Sequence, residues 1–101
     1  MKLVIVTTVE AFHNDVIKLF KKSGIENFSE SEIDGYKSAP TLLTTNSWFA
    51  NEKGGNESSL FFSFTTDDKI DNLFKLIQDY NNDLETNNPI RAVVLPIERN
   101  I

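Results

Sequence analysis

One hundred and one residues without a cysteine suit one domain with one core, and they exclude disulfides and thiolate metal sites. Ten basic against fifteen acidic side chains leave a net charge of −5, with no basic stripe, which argues against nucleic acid and anionic lipid as partners. The opening "MKLVIVTTVEAF" has no small-residue cleavage site, and no apolar run approaches the ~18 residues of a membrane span. The expectation is a cytoplasmic protein with no direct membrane insertion.

The first element, 2–8, is apolar on both alternating faces, as in a strand covered on both sides. From Glu10 to Ser23, Phe12, Val16, Leu19 and Phe20 recur at helical spacing, and Gly24 is placed to end that helix in the left-handed conformation. Residues 25–37, "IENFSESEIDGYK", read as a polar edge strand guarded by Glu30, Glu32 and Asp34. An insert without clean period follows, about 38–58, holding Pro40, "NSWF" and the turn-forming "NEKGGNESS".

"SLFFSFTT" is a strand. "TDDKIDNLFKLIQDYNNDL" is a second amphipathic helix, with Thr66 or Asp67 as N-cap and Asp67, Asp68 and Asp71 at the positive end of its dipole. "ETNNP" breaks it, and "IRAVVLPI" is the last strand. The order βαββαβ predicts a single α+β domain, 1–101, of ferredoxin-like type: a four-stranded antiparallel sheet with two helices on one face. Two helices cover one face only, yet the first, third and fourth strands are apolar on both. A second copy of the chain is the economical cover, so a homo-oligomer is expected.

Chemistry-bearing motifs are sparse. His13, the only histidine, lies off the apolar stripe near Glu10, and it reads as a solvated helix residue and not as a metal ligand. The aspartates at 67, 68 and 71 are explained by the helix start without a cation. There is no GxGxxG, no P-loop and no nucleophile–base pair, so no enzymatic activity is indicated. "SLFFSF" invites comparison with the stacking strand of RNA-recognition modules, but the acidic charge and the missing flanking cations favour a core or interface strand. Trp48 and Phe49, in a polar insert, are either anchors for a partner's pocket or a cap on the sheet or a neighbouring subunit.

Taken in order, "HNDVIKLFKKSGI", "GIENFSESEIDGY", "TTDDKIDNLFKLI" and "VVLPIE" resemble the PII-like signalling proteins from end to end. The resemblance implies a homotrimer of ferredoxin-like subunits. It further implies a small effector bound in the intersubunit cleft, and a T-loop, here 38–58, that controls a partner protein, a membrane transporter in many members. Carried onto this chain, it assigns ligand contacts to Gly35, Tyr36 and Lys37 at the loop base and to Arg91 opposite, with Trp48 and Phe49 as partner contacts. The effector stays unknown. "KSAP" follows Gly35-Tyr36 in place of the glutamine and glycines that read nucleotide in the family, and "LETNNPIRAVV" has no glycine in place of the phosphate loop, so ATP or ADP by the familiar mechanism is not expected. A trimeric divalent-cation tolerance protein of the same fold, using His13 and carboxylates, is the alternative. A structural trimer that has lost its ligand is another.

Overall fold

The computed structural model describes residues 1–36 and 56–101, except for the side chain of Asn56. The elements are β1 (Lys2–Val9), a 3-10 turn (Glu10–Phe12), α1 (His13–Lys22), β2 (Ser29–Gly35), β3 (Asn56–Thr65), α2 (Asp67–Asn82) and β4 (Arg91–Pro96). The strands form one sheet in the order β2-β3-β1-β4, with every neighbouring pair antiparallel. This is the ferredoxin-like α+β arrangement expected from the element order.

Pairing register decides what each face carries. Val6 of β1 sits opposite Phe61 of β3, so both enter the layer beneath the helices, and both are fully buried. Val16 and Phe20 of α1 and Leu73 of α2 close that layer from above, also fully buried. Phe20 stacks on Phe28 at 4.7 Å between ring centroids and lies 5.7 Å from the ring of Phe61. Side chains alternate across the sheet, so Ile5 and Phe62, one position along, turn to the opposite face. No helix among the described residues covers that face. Phe64, Val93 and Leu95 remain 56%, 54% and 43% exposed there.

The helix ends follow from local chemistry. At the end of α1 the Ile25 N–H donates to the Phe20 carbonyl at 3.0 Å and the Gly24 N–H to the Lys21 carbonyl at 3.1 Å. This paired closure needs a left-handed residue, which Gly24 supplies at φ +93°. Its hydrophobic partner is in place as well, since Ile25 and Phe20 share the core. Thr66 occupies the N-cap position of α2, but its hydroxyl donates to Asp68 Oδ1 at 2.5 Å and accepts no backbone N–H of the helix. That bond holds the Asp68 carboxyl below the usual aspartate range.

Three element starts differ from the sequence expectation, the first being α1, which begins at His13 because Glu10–Phe12 form a 3-10 turn. The second strand begins at Ser29 and not at Ile25, because Ile25 is spent closing α1 and Phe28 packs against Phe20. The third strand begins at Asn56, three residues earlier than "SLFFSF" suggests. Its polar start pairs with Ile33–Gly35, so residues 56–58 belong to the sheet and not to the insert. The expected edge position of β2 is met, and β4 forms the other edge.

Candidate functional site

β1 and β4 run antiparallel with Thr7 opposite Arg91, and β3 and β2 pair Ser58 with Ile33. Val9 faces Ser58 across β1 and β3. These pairs put Thr7, Arg91, Val9 and Ile33 at one end of the uncovered sheet face. There β2 runs out through Gly35 to Tyr36, which is 71% exposed. The result is a cleft of about 330 Å³ whose walls include Thr7, Ile33, Gly35, Tyr36 and Arg91. The turn at 87–89 forms its remaining side, carried there by the breaker sequence after α2.

Three of the sequence-predicted ligand residues, Gly35, Tyr36 and Arg91, thus line one cleft although Arg91 is far from the other two in the chain. Lys37, Trp48 and Phe49 lie outside the described residues. Thr7 was not legible as a lining residue. The 87–89 turn belongs to "LETNNPIRAVV", the segment that the resemblance sets in place of the phosphate loop. A guanidinium, threonine hydroxyls and peptide groups at a strand end can bind an oxyanion, and the Tyr36 ring offers a flat apolar surface beside it.

The opposite, helix-side face at the same end has a different character. Glu10, Glu32, Asp34 and Glu57 line a second cleft of about 430 Å³. Beside it, His13 departs from the solvated residue expected. Its ring is half-buried, lies 5.5 Å from the ring of Phe61, and contacts the Glu30 carboxylate through Nε2. The partner is Glu30, not Glu10, because Glu30 pairs with Phe61 across β2 and β3 and so points under the start of α1. Among the described residues, no group of three or more histidine, cysteine, aspartate or glutamate side chains is placed to hold a metal ion.

Away from both clefts, the Tyr80 hydroxyl donates to Asp15 Oδ2 at 2.6 Å and ties α2 to α1. Burial, reinforced by that carboxylate, pushes the phenol up to about 12.

With this geometry established, the chain can be set beside solved proteins. No protein-family model matches it, and no curated protein does. Among solved structures it is similar to CPII, a nitrogen regulatory PII-like protein from Thiomonas intermedia K12 described as bound to ADP, AMP and bicarbonate. The TM-score is 0.62 at 11% identity, over 99% of this chain and 94% of the other. The chain has the PII-like fold. It is also similar to a DUF3240 family protein from Shewanella baltica OS155, with a TM-score of 0.66 at 16% identity, over 98% of this chain and 91% of that one. The agreement spans nearly the whole of each chain, so the PII-like fold accounts for all of the elements and not for a fragment of them. No helix among the described residues is long and apolar enough to cross a membrane.

Proposed function

We propose that this chain is a PII-like regulatory protein that binds a small effector in the cleft of Gly35, Tyr36 and Arg91. The observation that carries the reading is the convergence of those residues at the point where β2 leaves the sheet toward the insert. Lys37 belongs to the same site by sequence. In this reading three copies pack through the uncovered apolar faces of their sheets, which brings a neighbouring subunit against each cleft and completes it. The effector acts on the insert, 38–58. Through Trp48 and Phe49 the insert controls a partner protein, a membrane transporter, on the cytoplasmic side.

The CPII structure supports a small-effector reading, being described with ADP, AMP and bicarbonate bound. Here the phosphate-cradling glycines are missing and acidic side chains crowd the same end of the sheet, so a small oxyanion suits the cleft better than a triphosphate. Calorimetric titration with bicarbonate, AMP, ADP and ATP tests this directly. Saturable binding that Arg91→Ala weakens tenfold or more is expected, and no heat or thermal shift with any of the four would remove the sensing role. Sedimentation at micromolar concentration is expected to give a trimer, and a monomer would sink the assembly.

A divalent-cation protein of the same fold is a second reading, favoured by the contact between His13 and Glu30, which brings two potential donors together. Cation titration of the wild type against His13→Ala separates it from the first.

A further inference from the structure

The turn and the guanidinium of the Arg91 cleft stand on either side of one residue. Asn87, Asn88 and Pro89 precede Ile90 and Arg91 follows it. Those four line the cleft, while Ile90 is buried in the core. The ladder between β1 and β4 ends where Thr7 faces Arg91, so Ile90 lies beyond the last strand pair. A helix serves its peptide groups instead. Asn81, in the last turn of α2, donates through Nδ2 to the Ile90 carbonyl and accepts the Ile90 N–H on Oδ1. A donor and an acceptor on one planar carboxamide match a peptide's own pair, as a neighbouring strand would. α2 is in turn fixed to the core by Leu73 and Ile77, and to α1 by the Tyr80 hydroxyl on Asp15. Within the turn, the Asn88 N–H donates to Thr86 Oγ1 at 3.0 Å.

We infer that Asn81 is the positioning residue of this cleft, holding Ile90 as a fixed pivot so that the 87–89 turn and Arg91 keep their spacing across a bound oxyanion. Asn81 is not itself part of the cleft wall; it acts through the backbone on either side of Ile90. Arg91 is an exposed side chain at the start of an edge strand, with a strand neighbour on one side only. Without the carboxamide, the Ile90 peptide groups must find water or a shifted backbone, and Arg91 loses the fixed base from which it reaches the cleft. The ligand side of this inference rests on the effector reading above, whereas the placement of Arg91 is a property of the apo protein.

Two measurements test it, each with Tyr80→Phe as control, since that variant loosens the same helix turn through Asp15 and leaves the Asn81 bracket in place. Calorimetric titration with bicarbonate is done at a temperature where every variant is folded. Affinity is expected to be about fivefold or more weaker in Asn81→Ala, with Tyr80→Phe within about twofold of the wild type. Asn81→Asp, which keeps the acceptor for the Ile90 N–H, is expected between them and keeps the test open if the alanine variant folds poorly. Amide exchange of the apo proteins reads the placement without a ligand. Protection at Arg91 and Ala92, where the β4 ladder begins, should fall about fivefold or more in Asn81→Ala relative to Val4 and Val6 of β1, and not in Tyr80→Phe. Wild-type affinity in Asn81→Ala, or an equal loss in Tyr80→Phe, would overturn the positioning role. So would exchange at Arg91 and Ala92 that moves no more than at Val4 and Val6. A wild type that takes up no bicarbonate would instead count against the oxyanion reading of the cleft, and the exchange measurement then decides the placement by Asn81 alone.

Discussion

The carboxamide of Asn81 brackets the backbone of Ile90. Its Nδ2 donates to the Ile90 carbonyl at 2.9 Å, and its Oδ1 accepts from the Ile90 N–H at 2.9 Å. One side chain in the last turn of α2 thereby fixes the residue immediately before Arg91. Ile90 is itself buried, so both of its peptide groups need partners. Asn81→Ala is expected to cost about 1–3 kcal/mol, because it strands a buried donor and a buried acceptor together. Urea denaturation measures this, and the same variant should weaken any ligand that depends on the placement of Arg91. Asn81→Asp, which keeps the acceptor and loses the donor, should fall between the two.

The tie between Tyr80 and Asp15 makes stability fall at alkaline pH. The phenol is raised from 10.0 to about 12 in the folded chain, so its contribution is fully present below about 10 and is lost as pH rises toward 12. Phenolate absorbance in a Tyr36→Phe background isolates Tyr80, since the chain has two tyrosines. The remaining signal should titrate near 12, and Tyr80→Phe should lower stability by about 1 kcal/mol at neutral pH.

Gly24→Ala is expected to destabilise by about 1–2 kcal/mol, the cost of a left-handed conformation for a residue with a Cβ. Space is not the obstacle, because an added Cβ would come no closer than 3.9 Å to the Lys69 side chain. Thermal denaturation checks the value. Gly24→Asn should recover part of the loss, because asparagine tolerates the left-handed region better than alanine.

The uncovered sheet face predicts a split between assembly and folding. Phe64→Asp puts a charge at a position 56% exposed in the single chain, so the helix-side core is untouched. Sedimentation should show the proposed oligomer dissociating, while far-UV circular dichroism keeps the α+β signature. A Phe64→Asp protein that remains assembled would place the subunit contact elsewhere.

Much of this fold was legible because its signals are local and repeated. The two helical stripes declare a buried face by spacing alone, the apolar runs of β1 and β3 declare strands without saying which face the helices cover, and strand order then follows from the βαββαβ sequence. The contacts that were missed join residues with no local pattern between them. His13 looked solvated because its neighbours on the helix are polar, and its real surroundings come from β2 and β3. Asn81 is a polar residue near a helix end until the chain returns nine positions later to meet it. The start of β3 was missed for a related reason. Asn56, Glu57 and Ser58 have little strand propensity, and they enter the sheet because Ile33–Gly35 offers them a ladder. For the cleft, Gly35, Tyr36, Arg91 and the loop that holds 87–89 were singled out by resemblance, whereas Thr7 enters through cross-strand register that no single segment encodes.

Ser59 offers a contrasting case. It is fully buried, and its hydroxyl has no hydrogen-bond partner among the described residues. Ser59→Ala is therefore expected to leave stability unchanged or to raise it by about 1 kcal/mol, measured by urea denaturation.

The register that sets Lys2 against Pro96 has a consequence for synthesis. β1 lies in the interior of the sheet and is made before both of its flanking strands, of which β4 is the later. Its pairings all span long stretches of chain, so β1 stays unpaired and apolar until they close. Folding of this sheet is expected to be slow for a domain of this size, with β1 the segment exposed longest before pairing.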